Sequence, residues 1–156
     1  MLKESEFLLL SHFRNNARIS LTKLSRLTKI PVSTIFDRLQ YYERKRVITK
    51  NTSLLNFKKL GFDVRNQILI ACNSSNRDDL QNFLVNHPSV NTIFRINNGF
   101  DFIVETVFRN MNEMDDFMCS LDSFELLEKK EFFVMEDLKR EEFLSKREDQ
   151  QNTFVS

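Results

Sequence analysis

Between positions 23 and 50 the chain places Lys23, Arg26, Lys29, Arg38, Arg44, Lys45, Arg46 and Lys50 against only Asp37 and Glu43. Unopposed positive charge at this density is chemistry for a polyanion, because each phosphate neutralised releases a condensed counterion. Within it lie side chains suited to base edges. Ser33 and Thr34 can donate and accept, Asp37 can accept from a cytosine amino group, and Phe36 can touch a thymine methyl. Arg38, Tyr41, Arg44, Lys45 and Lys50 are placed for sugars and phosphates. Two of these residues have structural uses beside the recognition ones. Asp37 suits a helix-start partner or an ion pair with Arg38 or Arg44 as well as a base contact, and Arg38 suits an internal pair as well as a phosphate.

Other chemistries lack their residues. There is no HExxH, no phosphate-binding glycine loop, no GxSxG and no CxxC. Cys72 and Cys119 are far apart and read as two buried thiols in a reducing cytoplasm, not as a disulfide or a metal site. His12 reads as a helix surface or packing residue. His87, just before Pro88, is expected to cap a helix C-terminus, where a cation is favourable. The expectation is a binding protein, not an enzyme, with neither metal nor cofactor. No apolar run is long enough to span a membrane, and Glu4 and Glu6 beside the first apolar stretch argue against a signal peptide.

The elements that must hold these residues follow from periodicity. Lys3 to Asn15 predicts a helix with a Phe7, Leu10, Phe13 stripe and Leu9 beside it. Ser20 is placed to cap a second helix with Leu21, Leu24 and Leu27 inward, and Lys29-Ile30-Pro31 ends it. Val32 to Lys45 predicts a third helix with Ile35, Leu39 and Tyr42 inward, leaving Ser33, Thr34, Asp37, Gln40, Tyr41 and Arg44 outside. Two short helices, a tight turn and a third helix with a polar outer face make a helix-turn-helix. Val47 to Leu55 suits a small hairpin, a wing.

After Gly61 the period turns to alternation. Strands are expected at Gln67–Asn73, Val90–Asn97, Phe100–Phe108 and Leu126–Met135, and helices at Asn76–Asn86 and Met111–Leu121. Asn98-Gly99 is a hairpin signal. The order is βαββαβ, the ferredoxin-like arrangement. Glu136 to Glu148 reads as a charged terminal helix that could dock a basic partner or simply be solvated, and 149–156 as a frayed tail. Charge divides at the same place. Residues 1–60 carry 13 Lys+Arg against 4 Asp+Glu, a net +9, and residues 61–156 carry 10 against 18, a net −8. One half is built to meet a polyanion and the other is not.

In this order the segments resemble the Lrp/AsnC, or feast/famine, regulators. Asn16-Ala17-Arg18-Ile19-Ser20 is similar to the family's link between its first two helices, followed by apolar Leu21, Leu24, Leu27 and Ile30. Ser33-Thr34-Ile35, Arg38-Leu39 and Val47-Ile48 fall at its spacing through the recognition helix. Asn56-Phe57-Lys58-Lys59-Leu60-Gly61 resembles its linker, and Asn98-Gly99-Phe100-Asp101 its Gly-x-Tyr-Asp loop. Arg46 stands where the family usually has glycine, Pro31 where it often has a capping serine, and Phe57 where it has a linker proline.

The resemblance implies an α+β chain: a winged helix-turn-helix DNA-binding domain with linker over 1–60, and a βαββαβ dimerisation and ligand-sensing domain over 61–148. It implies a cytoplasmic, nucleoid-associated prokaryotic transcription regulator that binds double-stranded DNA. The homodimer would form by sheets packing face to face and would assemble further to a tetramer or octamer. An amino-acid effector would bind near Asn98, Gly99 and Asp101. There the amides at Gly99 suit a carboxylate and Asp101 an ammonium group, while a plain turn fits the same residues. Two alternatives share the architecture or the surface: a tetrapyrrole-modifying enzyme of the sirohaem decarboxylase kind, for which the acidic second half is a poor pocket, and a protein that coats DNA with little sequence preference.

Overall fold

The computed structural model describes residues 3–145. Two compact units emerge: residues 3–53 with 138–145, and Leu54–Asp137.

The first unit contains α1 (Glu4–Asn15), α2 (Leu21–Thr28) and α3 (Val32–Arg44). Its core is Leu9, Leu24, Ile30, Ile35 and Tyr42, with Leu10, Phe13, Leu21, Leu39 and Ile48 packed around it. Ser20 caps α2, its hydroxyl accepting from the Lys23 amide. Two inward positions differ from the periodic expectation. Leu9, not the stripe beside it, is the fully buried residue of α1, and Leu27 is exposed while Thr28 is buried. Thr28 is tolerated there because its hydroxyl donates to the Leu24 carbonyl at 2.8 Å, so no polar group is stranded.

The expected hairpin over Val47–Leu55 does not form, since no strand lies between α3 and the short 3-10 turn at Lys58–Leu60. Lys50-Asn51-Thr52-Ser53 lacks a glycine turn, and the flanks are too short to hold an isolated two-stranded ribbon. The expected helix from Glu136 is also absent through Ser145. Leu138 and Phe143 are exposed, so the segment buries no apolar face, and helical propensity alone does not sustain so short a helix. It is instead fastened to α1. Arg14 donates from Nε to the Phe143 carbonyl and pairs through Nη2 with Glu141 at 2.9 Å. Residues 146–156, including the rest of that expected helix and the frayed tail, lie outside the described residues.

The second unit runs β1 (Val64–Ala71), α4 (Arg77–Asn86), β2 (Val90–Arg95), β3 (Phe102–Phe108), α5 (Met111–Asp122) and β4 (Glu128–Phe133). The antiparallel sheet has order β2-β3-β1-β4, the ferredoxin-like βαββαβ topology. Alternation sends Ile68, Ile70, Phe102, Val104 and Phe108 into one core with Leu80 and Leu84 of α4 and Met114, Phe117, Met118 and Leu121 of α5. The odd-numbered neighbours Arg65, Gln67, Leu69, Ile103, Glu105 and Val107 fall on the opposite face. Among the described residues no helix is long and apolar enough to cross a membrane.

Candidate nucleic-acid interface

The turn before α3 is built by two special backbones. Lys29 ends α2 at φ 60, its amide donating to the Ser25 carbonyl. Pro31 then sits extended at φ −57, ψ 144, with no side-chain cap. The first helical bond of α3 runs from the Ile35 amide to the Pro31 carbonyl, so the amides of Val32, Ser33 and Thr34 have no partner within the helix.

Ile35 and Tyr42 bury the inner stripe, and Ser33, Phe36, Asp37, Tyr41, Arg44 and Lys45 are exposed, with Thr34 half-buried. Lys50 is exposed on the irregular arm that follows, which Asn51 ties to Glu43 of α3 at 3.3 Å. The side chains of Ser33, Thr34, Asp37, Arg44, Lys45 and Lys50 make no hydrogen bond or ion pair among the described residues.

Arg38 differs from them. It is half-buried, and its Nη1 is sealed from solvent without a hydrogen-bond partner. Its charge acts on an inner network in which Glu6 accepts from the Tyr42 hydroxyl at 2.9 Å and from the Lys3 amide at 2.7 Å. The Lys3 amide holds the Glu6 carboxyl below its usual range against opposing burial, with help from Tyr42 and Arg38. Burial and the Glu6 partner push the Tyr42 hydroxyl up to about 12.

At the far end of α3 the Arg46 amide donates to Glu43 and the Val47 amide to Tyr42, at 3.1 and 2.8 Å. These are the two bonds of a Schellman motif, whose C′ residue is left-handed. Arg46 takes that conformation at φ 55. Arg46 therefore holds a left-handed position at a steric cost glycine would not carry.

In the second unit the β2–β3 connection turns at Asn98 (φ 67) and Gly99 (φ 93). Ile96 donates to the Asp101 carbonyl at 2.9 Å, and the Asp101 amide to Ile70 at 2.8 Å. The Asp101 carboxylate is already engaged. One oxygen accepts from the Cys72 amide at 2.9 Å and faces the Cys72 thiol, and the other pairs with Arg77 at 2.7 Å. The Cys72 amide, over opposing burial, and the Arg77 charge hold Asp101 below the ordinary carboxylate range. Burial, then Asp101 itself, push the thiol up. Arg77 and Cys72 were not foreseen as partners of this loop.

Glu105 was also missed. It is buried amid the face opposite the helices, accepting from Arg65, Asn91 and Thr92, while Arg65 also pairs with Asp137 at 2.7 Å. An acid at the centre of the apolar strand Phe102–Phe108 was the available signal. His87 does end α4, but its ring packs on Phe83 and Phe117 at 5.3 and 4.7 Å between centroids. Burial lowers its pKa, which corrects the expectation of a capping cation. With Ser89, Glu113, Asp116, Phe117 and Ser120 it lines a shallow cleft of about 230 Å³. No cluster of His, Cys, Asp and Glu able to hold a metal exists among the described residues. Of the two thiols expected to be buried, Cys72 is and Cys119, on α5, is exposed.

Residues 67–143 match the Lrp/AsnC ligand binding domain family. The second unit is thereby matched to the Lrp/AsnC ligand binding domain. Among the proteins similar to this chain is the HTH-type transcriptional regulator FL11 of Pyrococcus furiosus, 24% identical over 74% of this chain and 76% of its own length. Another is the glutamate uptake regulatory protein of Zymomonas mobilis, 26% identical over 92% and 90%. In fold this chain is similar to a transcriptional regulator of Neisseria meningitidis solved in complex with L-Met. The TM-score is 0.82 at 19% identity, over 90% of this chain and 94% of that one. It is also similar to E. coli AsnC, with TM-score 0.78 at 16% identity over 90% and 96%.

Proposed function

We propose that this chain is a transcription regulator that binds double-stranded DNA sequence-specifically through α3 and the arm ending near Lys50, not an enzyme, and that it acts in the cytoplasm on the nucleoid. One observation carries the reading. Among the described residues the side chains of Ser33, Thr34, Asp37, Arg44, Lys45 and Lys50 make no hydrogen bond or ion pair, in a segment of net charge +9. Phosphates supply affinity to such a surface and base edges supply choice. Ser33, Thr34, Phe36 and Asp37 stand nearest the helix start, where recognition helices meet bases. Arg38, Tyr41, Arg44, Lys45 and Lys50 serve the backbone.

One copy of α3 spans few base pairs, so the regulator works as a homodimer on paired half-sites. The sheet face carrying Leu69, Ile103 and Val107 is the surface for that pairing, and further assembly to a tetramer or octamer follows the family. An amino acid is the effector, in keeping with the L-Met complex and the glutamate uptake regulator among the similar proteins. Because Asp101 is spent on Arg77 and Cys72, its role is to fix the loop. The amides near Asn98 and Gly99 are left to receive a carboxylate.

The test is fluorescence anisotropy with duplex from upstream of the chain's own gene and with unrelated duplex, across a salt series. Tighter binding to the upstream duplex that persists at ~0.15 M salt is the expected result. Equal, salt-sensitive binding to both assigns a DNA-coating role, and no binding at low salt refutes the reading.

A further inference from the structure

The groove-entering end of α3 is poor in hydrogen-bonding reach and rich in exposed carbon. Its outward residues over the first two turns are Val32, Ser33, Phe36 and Asp37. Val32 is 42% and Phe36 49% exposed, and neither joins the packed core of its unit. They stand at i and i+4, one above the other on the same face. The exposed half of the Phe36 ring stands beside strong positive charge, open to contact from outside the unit.

The usual reader of guanine is a bidentate guanidinium or ammonium, and these turns offer none outward. Their one cation, Arg38, is half-buried in the field of Glu6, with Nη1 sealed from solvent. Asp37 is exposed, without an internal partner among the described residues. It accepts only, so it repels the guanine edge, which presents acceptors, and tolerates an amino group. The remaining distinctive feature of the major groove is the thymine methyl, an apolar knob matched by apolar side chains.

Resting on the DNA-binding reading above, we propose that this protein reads its half-sites chiefly through thymine methyl groups, with Phe36 as the specificity-determining residue and Val32 extending its contact. The cations of the head set affinity without regard to sequence. Phe36 sets which duplex is kept.

The experiment first selects preferred duplexes from a random pool with the full chain, then compares each with its copy carrying deoxyuridine for thymine. The copy pairs identically and lacks only the methyl. Loss of one buried methyl per half-site weakens binding about fourfold for each half-site. Phe36→Ala, at an exposed position that leaves the core intact, abolishes the thymine–uracil difference with the far-ultraviolet circular dichroism unchanged. Phe36→Leu restores part of the difference. Equal affinity for thymine and uracil duplexes that are both bound selectively overturns the proposal and leaves DNA recognition standing. A difference that survives in Phe36→Ala overturns the role of Phe36. Absence of any duplex binding at low salt overturns the DNA-binding reading and the proposal with it.

Discussion

Arg46 holds a backbone conformation that a Cβ disfavours, because the Schellman bonds from Arg46 and Val47 require it. Replacing it with glycine removes that cost, of order 1–2 kcal/mol for an L-residue in the left-handed region, against the extra freedom glycine gives the unfolded chain. Arg46→Gly is expected to raise stability by roughly 0.5–1 kcal/mol, read as a higher midpoint in urea with an unchanged slope. His87 behaves in the opposite sense to a capping cation. Its folded pKa lies below the ordinary 6.5 because of burial, so the unfolded chain takes up a proton first as pH falls. The stability it contributes is complete above about 6.5 and is lost as pH drops through the lower folded value. Urea melts of the protein between pH 8 and 5 should therefore decline, and His87→Gln should flatten that limb. Asp101 shows why part of the site was illegible. Its neighbour Gly99 announces the turn, but Arg77 and Cys72 are distant in sequence and meet it only after β3 pairs with β1.

At the scale of elements, legibility followed burial. α3, β1 and β3 each bury a periodic face, and their boundaries agree with the apolar spacing to within a few residues. The arm after α3 and the segment after β4 bury little, so their local composition suggested a hairpin and a helix that tertiary packing does not reward. The sheet makes its own prediction. Phe94, 61% exposed, lies beside Ile103, which pairs on the other side with Leu69. An aspartate there is desolvated without a partner if a second sheet covers this face. Phe94→Asp should halve the mass seen by light scattering at micromolar concentration while leaving the far-ultraviolet circular dichroism unchanged. A mass unaffected by the substitution removes this face as the pairing surface.

Over the whole molecule, two cores with no shared residue divide the work. Leu24 belongs to the first and is fully buried. Leu24→Ala should cost about 2–5 kcal/mol in the unit that carries α3 and so abolish duplex binding. The second unit, whose core is untouched, should keep its assembly mass. Loss of both together would show that the units do not fold separately. The charge division at Gly61 was the clearest whole-molecule signal in the sequence, because it needed no knowledge of contacts.

The return of residues 138–145 to α1 has a consequence for biosynthesis. The helices of the head have a core of near neighbours and can form while the ribosome is still making the sheet, since domains generally fold as units during synthesis. Arg14, however, waits for Glu141 and the Phe143 carbonyl, which emerge only after every strand has been translated. The first unit to be made is thus the last to be finished, and a prematurely terminated chain leaves the ribosome with its head unfastened.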